Sequence, residues 1–363
     1  MAIRVNTPEG GYDIVIEPGL LGRLDTQAAA YHLTGNVVIV TNTTVARLYG
    51  TLVKRVLPDA KLITIPDGEQ YKTLETVRGL YDEFVAAGLD RSGTVVALGG
   101  GVVGDTVGFA AATYMRGVRL VQIPTTLLAM VDSSVGGKVG VDLPQGKNLV
   151  GAFKQPDVVL IDPDVLQTLP ERELRCGMAE VIKHGLLADE ELFEKVIELH
   201  HPPNWLDDKV VNSTQYFADL AAQIPRAVQV KVKVVEQDPY EQNIRAHLNL
   251  GHTFAHAIEQ VSGYSWLHGE AVGVGLIAAV QLSHRLGLCG AGLVGRVTEA
   301  TRAVALPQRM NGLDIEEVYA AMATDKKWRG GHSRFVLLED IGKPTIVENV
   351  AESDVMTVLG NLN

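Results

Sequence analysis

Cysteine is scarce in this sequence, and its scarcity excludes a scaffold built on disulfides. Cys176 and Cys289 are the two cysteines among 363 residues, and they form no Cys-x-x-Cys pair. Because no cationic, apolar leader follows Met1, we expect a cytoplasmic protein in a reducing compartment.

Basic residues are also few, 32 against 43 acidic ones, which gives a formal net charge of −11. A phosphate backbone or an anionic membrane selects a basic face, so we expect neither nucleic acid nor membrane as a partner. Long apolar runs are missing as well. The longest, Ala271–Leu282, falls short of the roughly 20 residues that a membrane-spanning helix requires and is expected to form a core helix.

The composition, 46% hydrophobic and 21% charged, is typical of a globular protein. The length of 363 residues predicts two domains. Up to Pro170, β-branched runs alternate with helical patterns at Thr73–Ala87 and Asp105–Thr113. This alternation predicts an α/β domain over residues 1–170 with a Rossmann-like parallel sheet, whose ligands gather at the carboxyl ends of the strands. The predicted strands are Tyr12–Ile16 at the periphery, Val37–Thr41, Leu62–Ile65, Thr94–Leu98, Leu120–Ile123 and Val158–Ile161.

Beyond Pro170 the strand pattern gives way to helical periodicity, so residues 171–363 are predicted to form a mainly α-helical C-terminal domain. A basic loop at Thr324–Arg334 and a short strand at Phe335–Leu338 are expected near the end of the chain. The predicted helices are Glu171–Leu187, Glu190–Leu199, Trp205–Val234, Leu248–Ser262 and Glu270–Leu286.

A glycine-rich turn joins one predicted strand to a predicted helix, where Gly99, Gly101 and Gly104 fit the spacing Gly-x-Gly-x-x-Gly. Such glycines let the backbone approach a pyrophosphate, whose charge then lies at the helix N-terminus. A tight turn without a ligand is the alternative, but the strand–turn–helix context favours a dinucleotide. No acid follows about 20 residues on to hold the ribose. The segment Asp67–Lys72, which follows another strand, is a candidate for that contact, although taken alone it indicates a solvated turn.

Two lysines lie among glycines in the densest polar stretch of the sequence, Asp132–Lys138 followed by Gly146–Asn148. A lysine beside a glycine usually has no special role. Here Lys138 and Lys147 recur in what we predict to be a loop, within an acidic chain, and this pattern favours an anion-binding cradle over a solubilising face.

Three histidines lie close together in the second half: His252 and His256 are four residues apart in a predicted helix, and His268 follows a turn. An isolated His-x-x-x-His pair is more often an ordinary core or surface feature than a metal site. Glu180, however, lies in an apolar helical run with Lys183 three residues on, and a buried charge needs a partner. Two histidines with one glutamate form a known catalytic zinc arrangement. The spacing alone leaves open which two histidines bind.

Cations precede these histidines in the chain. Lys231 and Lys233 lie in one predicted helix, and Arg245 lies seven residues ahead of His252. Arg245 and Asn249 are predicted to be one helical turn apart and to point toward the histidines. An exposed amphipathic face explains Lys233 equally well. The segment therefore predicts a metal beside several cations.

These segments together identify a resemblance: from about Thr41 to Gly342 the sequence resembles the 3-dehydroquinate synthases, a family of sugar-phosphate cyclases. Its long motifs are more specific than a glycine fingerprint alone. The motifs that carry the resemblance are Asp67–Lys72, Gly99–Asp105, Thr113–Gly117, Pro124–Lys138, Gly146–Asn148, Gly177–Lys183, Arg245–His256 and His268–Glu270.

The resemblance implies a divalent metal, zinc or cobalt, held by Glu180, His252 and His268, and it assigns His256 to the substrate. It also implies NAD as cofactor. The residues assigned to NAD are Asn42, Asp67, Glu69, Lys72, Gly99, Gly100, Gly101, Asp105, Thr125, Thr126, Lys138, Lys147 and Thr168. The residues assigned to substrate and catalysis are Arg116, Asp132, Lys138, Asn148, Lys183, Lys231, Glu241, Arg245, Asn249, His256 and one lysine of the pair Lys326 and Lys327, with Lys327 preferred.

The family's reaction, as the resemblance implies it, acts on a seven-carbon keto acid phosphate, DAHP, in its cyclic hemiketal form. NAD oxidises the C5 hydroxyl beside the metal, and the ketone acidifies C6. Phosphate then leaves by elimination, and the leaving phosphate is itself the base for the C6 proton if Lys138, Asn148 and the late lysine hold it nearby. The hydride returns to C5, the ring opens, and an aldol step closes the carbocycle, so that NAD is unchanged over a turnover.

Three alternatives compete with this reading. An alcohol dehydrogenase of the iron-containing type would leave NADH as product and would not need so many cations. Another sugar-phosphate cyclase would act on a substrate without a carboxylate, whereas Arg245, Asn249 and Lys231 suit a carboxylate. A non-catalytic NAD-binding protein would keep its function after the metal is removed.

Arg116 poses a geometric problem for a single chain. It follows a predicted helix and precedes the strand at Leu120, so it lies at the amino end of the sheet, whereas the cofactor crevice lies beyond the carboxyl ends. If Arg116 binds the substrate phosphate, as the resemblance implies, we expect it to do so across the two-fold interface of a homodimer.

Overall fold

The computed structural model describes residues 1–8, 10–200, 214–323 and 333–363. The chain divides into two compact units, Met1–Leu169 and Pro170–Asn363. The first is α/β and the second is mainly helical, as the hydrophobic periodicity predicts. Within the described ranges, no helix is long and apolar enough to cross a membrane.

A sheet forms the centre of the first unit, and every strand predicted within residues 1–170 belongs to it. Its strand order is β1-β2-β9-β6-β5-β3-β4, parallel throughout except for the antiparallel pair β1 and β2 at one edge. The strands are β1 (Ala2–Thr7), β2 (Gly10–Ile16), β3 (Val37–Asn42), β4 (Lys61–Ile65), β5 (Thr94–Gly99), β6 (Arg119–Pro124) and β9 (Val158–Ile161).

The central strands are continuous apolar runs because helices cover the sheet and leave no face for water. All six residues of β5 are buried. Three helices follow strands in this unit: α1 (Thr43–Val56), α2 (Leu74–Ala86) and α3 (Gly101–Thr113). The pattern predicted α2, whereas α1 was not predicted, and α3 begins four residues before the predicted start at Asp105.

Lys138 and Gly146–Asn148, which were predicted to lie in a loop, belong instead to a β-hairpin, and that part of the prediction was wrong. Strand β7 (Lys138–Leu143) pairs antiparallel with β8 (Gly146–Phe153). The strand pattern is weak in the sequence because glycines occupy the paired positions Gly140 and Gly151. The two strands approach closely at this pair, and a Cβ added to Gly140 would lie 2.6 Å from the carbonyl oxygen of Val150.

The second unit is a set of packed helices with one late hairpin, β10 (Arg334–Asp340) and β11 (Lys343–Glu348). Four of its predicted helices are confirmed in their described parts, although Trp205 to Ser213 lie outside the described residues, as does most of the predicted loop Thr324–Arg334. The helices are α4 (Glu171–Ala188), α5 (Glu190–Leu199), α6 (Thr214–Gln237), α7 (His252–Val261), α8 (His268–Arg285), α9 (Ala291–Ala303), α10 (Ile315–Ala323) and α11 (Glu352–Asn361).

The prediction of one helix over Leu248–Ser262 was wrong in its first turn. Ile244–Asn249 forms a 3₁₀ helix, and Gly251, with φ 78°, then reverses the backbone before α7 begins at His252. Glycine is required there because the left-handed region penalises a side chain and because α8 passes close by: an added Cβ would lie 2.9 Å from the backbone nitrogen of Leu276. The break therefore fixes where α7 starts.

A second close approach joins α8 to α4. A Cβ added to Gly269 would overlap backbone atoms of Cys176. The N-terminus of α8 is also held by Glu270, whose carboxylate accepts from the Leu267 backbone nitrogen at 2.9 Å and from the Nε and Nη2 atoms of Arg172, each at 2.7 Å. Helices α4, α7 and α8 thus meet through backbone contacts that leave little freedom in their mutual placement.

Candidate functional site

The glycine turn between β5 and α3 combines a helix N-terminus with a crowded backbone. Gly100 precedes the helix, and in the described part of the chain no side chain caps this N-terminus. A Cβ on Gly99 would lie 2.6 Å from a methyl of Val103, and one on Gly101 would lie 3.2 Å from the Ser133 hydroxyl. Uncapped N–H groups at the end of a 13-residue helix suit an anion such as a pyrophosphate.

Lys72 joins three of the predicted site residues into one cluster. Its ammonium, only 5% exposed, donates to the Asp105 carboxylate at 2.6 Å and to the Asn148 amide oxygen at 2.7 Å. Burial alone would lower the pKa of Lys72, but the carboxylates of Asp105 and Glu69 outweigh that effect and raise it. Lys72 is therefore a fixed cation beside α3.

Most of the remaining residues assigned to NAD lie at or just after the carboxyl ends of the sheet strands, whereas Lys147 lies in the hairpin strand β8. Asn42 caps α1 by accepting from Val45 at 2.8 Å and donates to the Asp67 carboxylate at 2.7 Å. The Lys147 ammonium lies 3.5 Å from a Glu69 carboxylate oxygen. Thr125 and Thr126 follow β6 directly, and Thr168, after β9, contacts the hydroxyl of Tyr49 at 2.5 Å.

Asn148 adopts a left-handed backbone conformation, φ 54°, at the start of β8. Its backbone nitrogen donates to the Asp142 carboxylate at 2.7 Å, while the backbone nitrogen of Asp142 donates to the Lys72 carbonyl at 2.8 Å. The sequence analysis missed Asp142. The feature that could have revealed it is an acidic residue six positions before Asn148, within the hairpin. Burial raises the pKa of Asp142 above its usual value.

The other assigned residues of the first unit are dispersed. Asp132 lies in a short π-helix, Ala129–Ser133, and Lys138 is the exposed first residue of β7. Arg116 ends a single 3₁₀ turn just before β6, at the amino end of the sheet as predicted, and both it and Met115 have positive φ values of 67° and 50°. Two adjacent non-glycine residues in the left-handed region indicate a strained turn.

In the second unit, Glu180 on α4 meets His252 on α7 and His268 on α8. The Glu180 Oε1 atom lies 3.6 Å from His252 Nε2 and 3.5 Å from His268 Nε2, and one ligand atom from each residue lies within 4.8 Å of the others. Glu180 is fully buried and His252 nearly so, at 0% and 7% exposure. A buried carboxylate with two imidazole nitrogens converging on it is a donor set that fits a divalent metal.

The ring orientation of His252 and His268 is fixed at the nitrogen that faces away from Glu180. His252 Nδ1 lies 3.0 Å from the Leu250 carbonyl oxygen, and His268 Nδ1 lies 3.1 Å from a carboxylate oxygen of Glu259. Burial and then the nearby Lys183 hold the pKa of His252 well below its usual value, so this imidazole is neutral. Burial would also lower the pKa of His268, but Glu259 and Glu180 raise it to about 10, so that a metal must displace a proton there.

Lys183 and His256 border the same cluster. The Lys183 ammonium, 1% exposed, pairs with Glu180 Oε2 one turn along α4. The His256 ring centroid lies 5.6 Å from that of His252 and 6.3 Å from that of His268. Sequence reasoning missed Glu259, whose signal was an acid seven residues after His252 on the same helical face.

The residues that precede α7 form a compact turn organised by Asp238. Its carboxylate accepts from the backbone nitrogens of Gln242, Asn243 and Arg245 at 2.8, 2.6 and 3.1 Å. The Asn249 amide donates to Glu241 at 3.0 Å. Arg245 and Asn249 lie on a 3₁₀ helix, so the predicted spacing of one α-helical turn between them was wrong.

Two buried cations belong to this region, Arg245 at 1% exposure and Lys231, on α6, at 7%. A guanidinium held in so little water is expensive unless hydrogen bonds satisfy it. Arg245 donates from one guanidinium nitrogen to the Pro239 carbonyl oxygen. The lysine pair Lys326 and Lys327 lies outside the described residues.

Comparison with known proteins agrees with this geometry. A family model described as the 3-dehydroquinate synthase N-terminal domain matches residues 62–176, and one described as its C-terminal domain matches residues 177–328. The chain belongs to the 3-dehydroquinate synthase family. The resemblance stated from the sequence motifs is thereby confirmed.

Members of this family and related cyclases share both sequence and fold with the chain. A 3-dehydroquinate synthase of Microcystis aeruginosa is 45% identical over 365 residues, covering 99% of this chain and 98% of the relative. The structure of a 2-epi-5-epi-valiolone synthase from Streptomyces hygroscopicus subsp. jinggangensis, with NAD+ and Zn2+ bound, is 31% identical with a TM-score of 0.85, covering 97% of this chain and 96% of that one. A 2-deoxy-scyllo-inosose synthase complexed with carbaglucose-6-phosphate, NAD+ and Co2+ is 25% identical with a TM-score of 0.87, and the match covers 100% of both chains.

Proposed function

We propose that this chain is an enzyme that converts DAHP to 3-dehydroquinate and phosphate, a step of the shikimate pathway in aromatic amino acid biosynthesis. The observation that carries the proposal is the convergence of Glu180, His252 and His268 in a member of this family. Curated relatives that share this activity by name are 43–46% identical over nearly the whole chain. The two free cysteines agree with a reducing, cytoplasmic location.

The cofactors of the proposed reaction are NAD and a divalent metal, zinc or cobalt. Both related cyclase structures bind NAD+, one with Zn2+ and the other with Co2+. Glu180, His252 and His268 would hold the metal. When bound, the metal polarises a substrate hydroxyl and NAD accepts and returns a hydride, so that the protein's own residues have to bind, orient and protect the substrate.

The NAD site is assigned to residues 1–170, at the carboxyl ends of the strands. The glycine turn Gly99–Gly101 would receive the pyrophosphate, since its N–H groups and the α3 dipole favour an anion. Lys72 would support the same anion, because Asp105 keeps its ammonium charged and fixed at 2.6 Å. Asp67 and Glu69, each after β4, remain the candidates for the ribose hydroxyls.

Several cations of the chain are assigned to substrate binding, each for a chemical reason. Lys138 and Asn148 would hold the phosphate before and after it leaves, close enough for the phosphate itself to take the C6 proton. In residues 171–363, Arg245 would bind the carboxylate through its planar guanidinium, and Lys231 would add charge. A cyclase whose substrate lacks a carboxylate would not need this buried guanidinium, so the carboxylated substrate is the better fit.

We expect that the purified protein, given DAHP, a divalent metal and a catalytic trace of NAD, releases phosphate over many turnovers without accumulating NADH. The reason is that a hydride taken from C5 returns to C5 within one turnover. Phosphate release measured together with absorbance at the NADH band checks the expectation. Stoichiometric NADH would instead indicate a dehydrogenase of the iron-containing type.

Metal removal separates the remaining alternative from the proposal. A non-catalytic NAD-binding protein would behave identically with and without metal, whereas the proposed enzyme should lose phosphate release after chelation and regain it with zinc or cobalt. Absence of phosphate release under every metal condition would overturn the proposed function.

The assembly proposed with this function is a homodimer in which Arg116 binds the phosphate in the partner's site. Arg116 lies at the amino end of the sheet, opposite the strand ends that carry the glycine turn, and a two-fold axis would carry it to the partner. We expect that inactive Arg116→Ala and Lys138→Ala chains regain activity when mixed under exchange conditions. In each heterodimer, one site then contains both substitutions, and the other site is intact.

The mixing experiment has its own controls. Each variant exchanged with itself should stay inactive, and size measurement should show dimers throughout. If exchange is verified by differently tagged chains and no activity returns, Arg116 acts within its own chain or has no part in the reaction.

A further inference from the structure

Glu259 is a buried carboxylate on α7 for which the proposed reaction has no role. It is 2% exposed and lies seven residues, about two helical turns, after His252. Its Oε2 atom lies 3.1 Å from His268 Nδ1. A carboxylate held out of water is costly unless it is hydrogen-bonded, so its position beside one particular ring nitrogen needs an explanation.

The explanation lies in the two nitrogens of an imidazole. A neutral histidine carries its proton on one nitrogen and a lone pair on the other, and the hydrogen bond at one decides which is available. His268 Nε2 faces Glu180 at 3.5 Å, on the opposite side of the ring from Glu259. When the proton of Nε2 is displaced, the proton that stays on Nδ1 and is donated to Glu259 leaves the Nε2 lone pair available to a metal on the side of the ring that faces Glu180.

His252 provides an internal comparison. Its Nδ1 lies 3.0 Å from the Leu250 carbonyl oxygen, and its Nε2 also faces Glu180, at 3.6 Å. The same tautomer is therefore selected at both histidines, by a backbone carbonyl in one case and by a carboxylate in the other. The backbone acceptor is set by the turn at Gly251, whereas the acceptor of His268 comes from a side chain on a different helix.

The main chain of Glu259 also keeps this side chain in place. Its carbonyl oxygen accepts from the Tyr264 backbone nitrogen at 2.8 Å and from the Ser262 hydroxyl at 2.9 Å, and these bonds close the end of α7. The carboxylate is thus anchored at the last turn of the helix that begins with His252. One helix carries a ligand at its start and the orienting group of another ligand near its end.

We propose that Glu259 is a positioning residue that fixes the tautomer and ring orientation of His268 for metal binding. The inference rests on the metal set given under the proposed function. It assigns to α7 two linked tasks, providing His252 and orienting His268 on α8. Glu259 touches neither substrate nor metal in this role and acts through His268.

The test measures the affinity of metal-free protein for Zn2+ by competition with a chromophoric chelator, in Glu259→Leu and Glu259→Gln. Loss of an outer partner of this kind typically lowers metal affinity by about 10–100-fold. We expect such a loss for Glu259→Leu, and a smaller loss for Glu259→Gln, whose amide oxygen still accepts from Nδ1. The visible spectrum of the Co2+ form should change in Glu259→Leu, because the ligand ring is free to turn.

A matched control separates orientation from stability. Asp189→Asn weakens another carboxylate of the same unit, one that caps α5 and pairs with Arg226 at 2.7 Å. We expect it to lower the thermal stability of the metal-free protein and to leave Zn2+ affinity unchanged. If Glu259→Leu and Glu259→Gln behave in this way too, with affinity and Co2+ spectrum unaltered, the positioning role is wrong.

The outcome also distinguishes this inference from the proposed metal set. If His268→Ala abolishes Zn2+ binding while both Glu259 variants retain full affinity, the metal set stands and only the positioning role fails. If His268→Ala itself binds Zn2+ normally, the metal set fails, and the role of Glu259 fails with it.

Discussion

Glu180→Ala and His268→Ala are expected to purify without bound metal and without activity, whereas His256→Ala should retain the metal and lose turnover. Each of the first two changes removes a donor atom from the cluster, and a shell of two ligands holds a divalent ion weakly. The loss of affinity should exceed the roughly 10–100-fold that an outer partner supplies. Metal content of the three purified variants, measured by mass spectrometry, checks the expectation.

Glu180 requires a companion variant because its removal also affects a buried lysine. Lys183 pairs with Glu180 inside α4, and loss of one member of a buried ion pair commonly destabilises a protein by about 3–5 kcal/mol. Glu180→Gln keeps the volume and a hydrogen-bonding group, so it should fold and still lose metal. If His256→Ala is the variant that lacks metal, while His268→Ala retains it, the assignment of ligands is wrong.

The sheet was the most predictable part of the fold, for a physical reason. Strands such as Val37–Asn42 and Thr94–Gly99 are buried along almost their whole length, and a short continuous apolar run bounded by turns is typical of such a strand. The hairpin Lys138–Phe153 has a weaker hydrophobic pattern because much of β8 is exposed and because glycines occupy the paired positions Gly140 and Gly151. The local pattern of Lys138 and Gly146–Asn148 therefore predicts a loop.

The metal cluster shows a second limit of predictions that rest on the spacing of residues along the chain. The pair that spacing brings together is His252 and His256, which share a face of α7. The pair whose Nε2 atoms lie nearest Glu180 is His252 and His268, from two different helices. Only the crossing of α7 and α8, set by the left-handed turn at Gly251, brings the second histidine into reach, and no periodicity in the sequence encodes such a crossing.

Gly269→Ala is expected to destabilise the protein and weaken its metal binding together. Gly269 follows His268 on α8, and the added methyl would overlap the carbonyl group and Cα of Cys176 on α4, four residues before Glu180. Backbone atoms cannot rotate away as a side-chain end can, so the two helices have to separate. Overpacking of this kind costs about 1–3 kcal/mol and occasionally more. Urea unfolding of the metal-free protein and Zn2+ competition measure the two effects.

The control for this substitution is Gly295→Ala on α9, where the added methyl meets no atom within 4 Å. Alanine is favoured over glycine by about 0.8–1 kcal/mol inside a helix, so the same chemical change should stabilise the protein there and leave metal affinity intact. The same substitution is thus expected to lower the stability of the protein at Gly269 and to raise it at Gly295. If Gly269→Ala instead matches Gly295→Ala in both stability and Zn2+ affinity, the close approach of α4 and α8 does not determine the distance from Glu180 to His268.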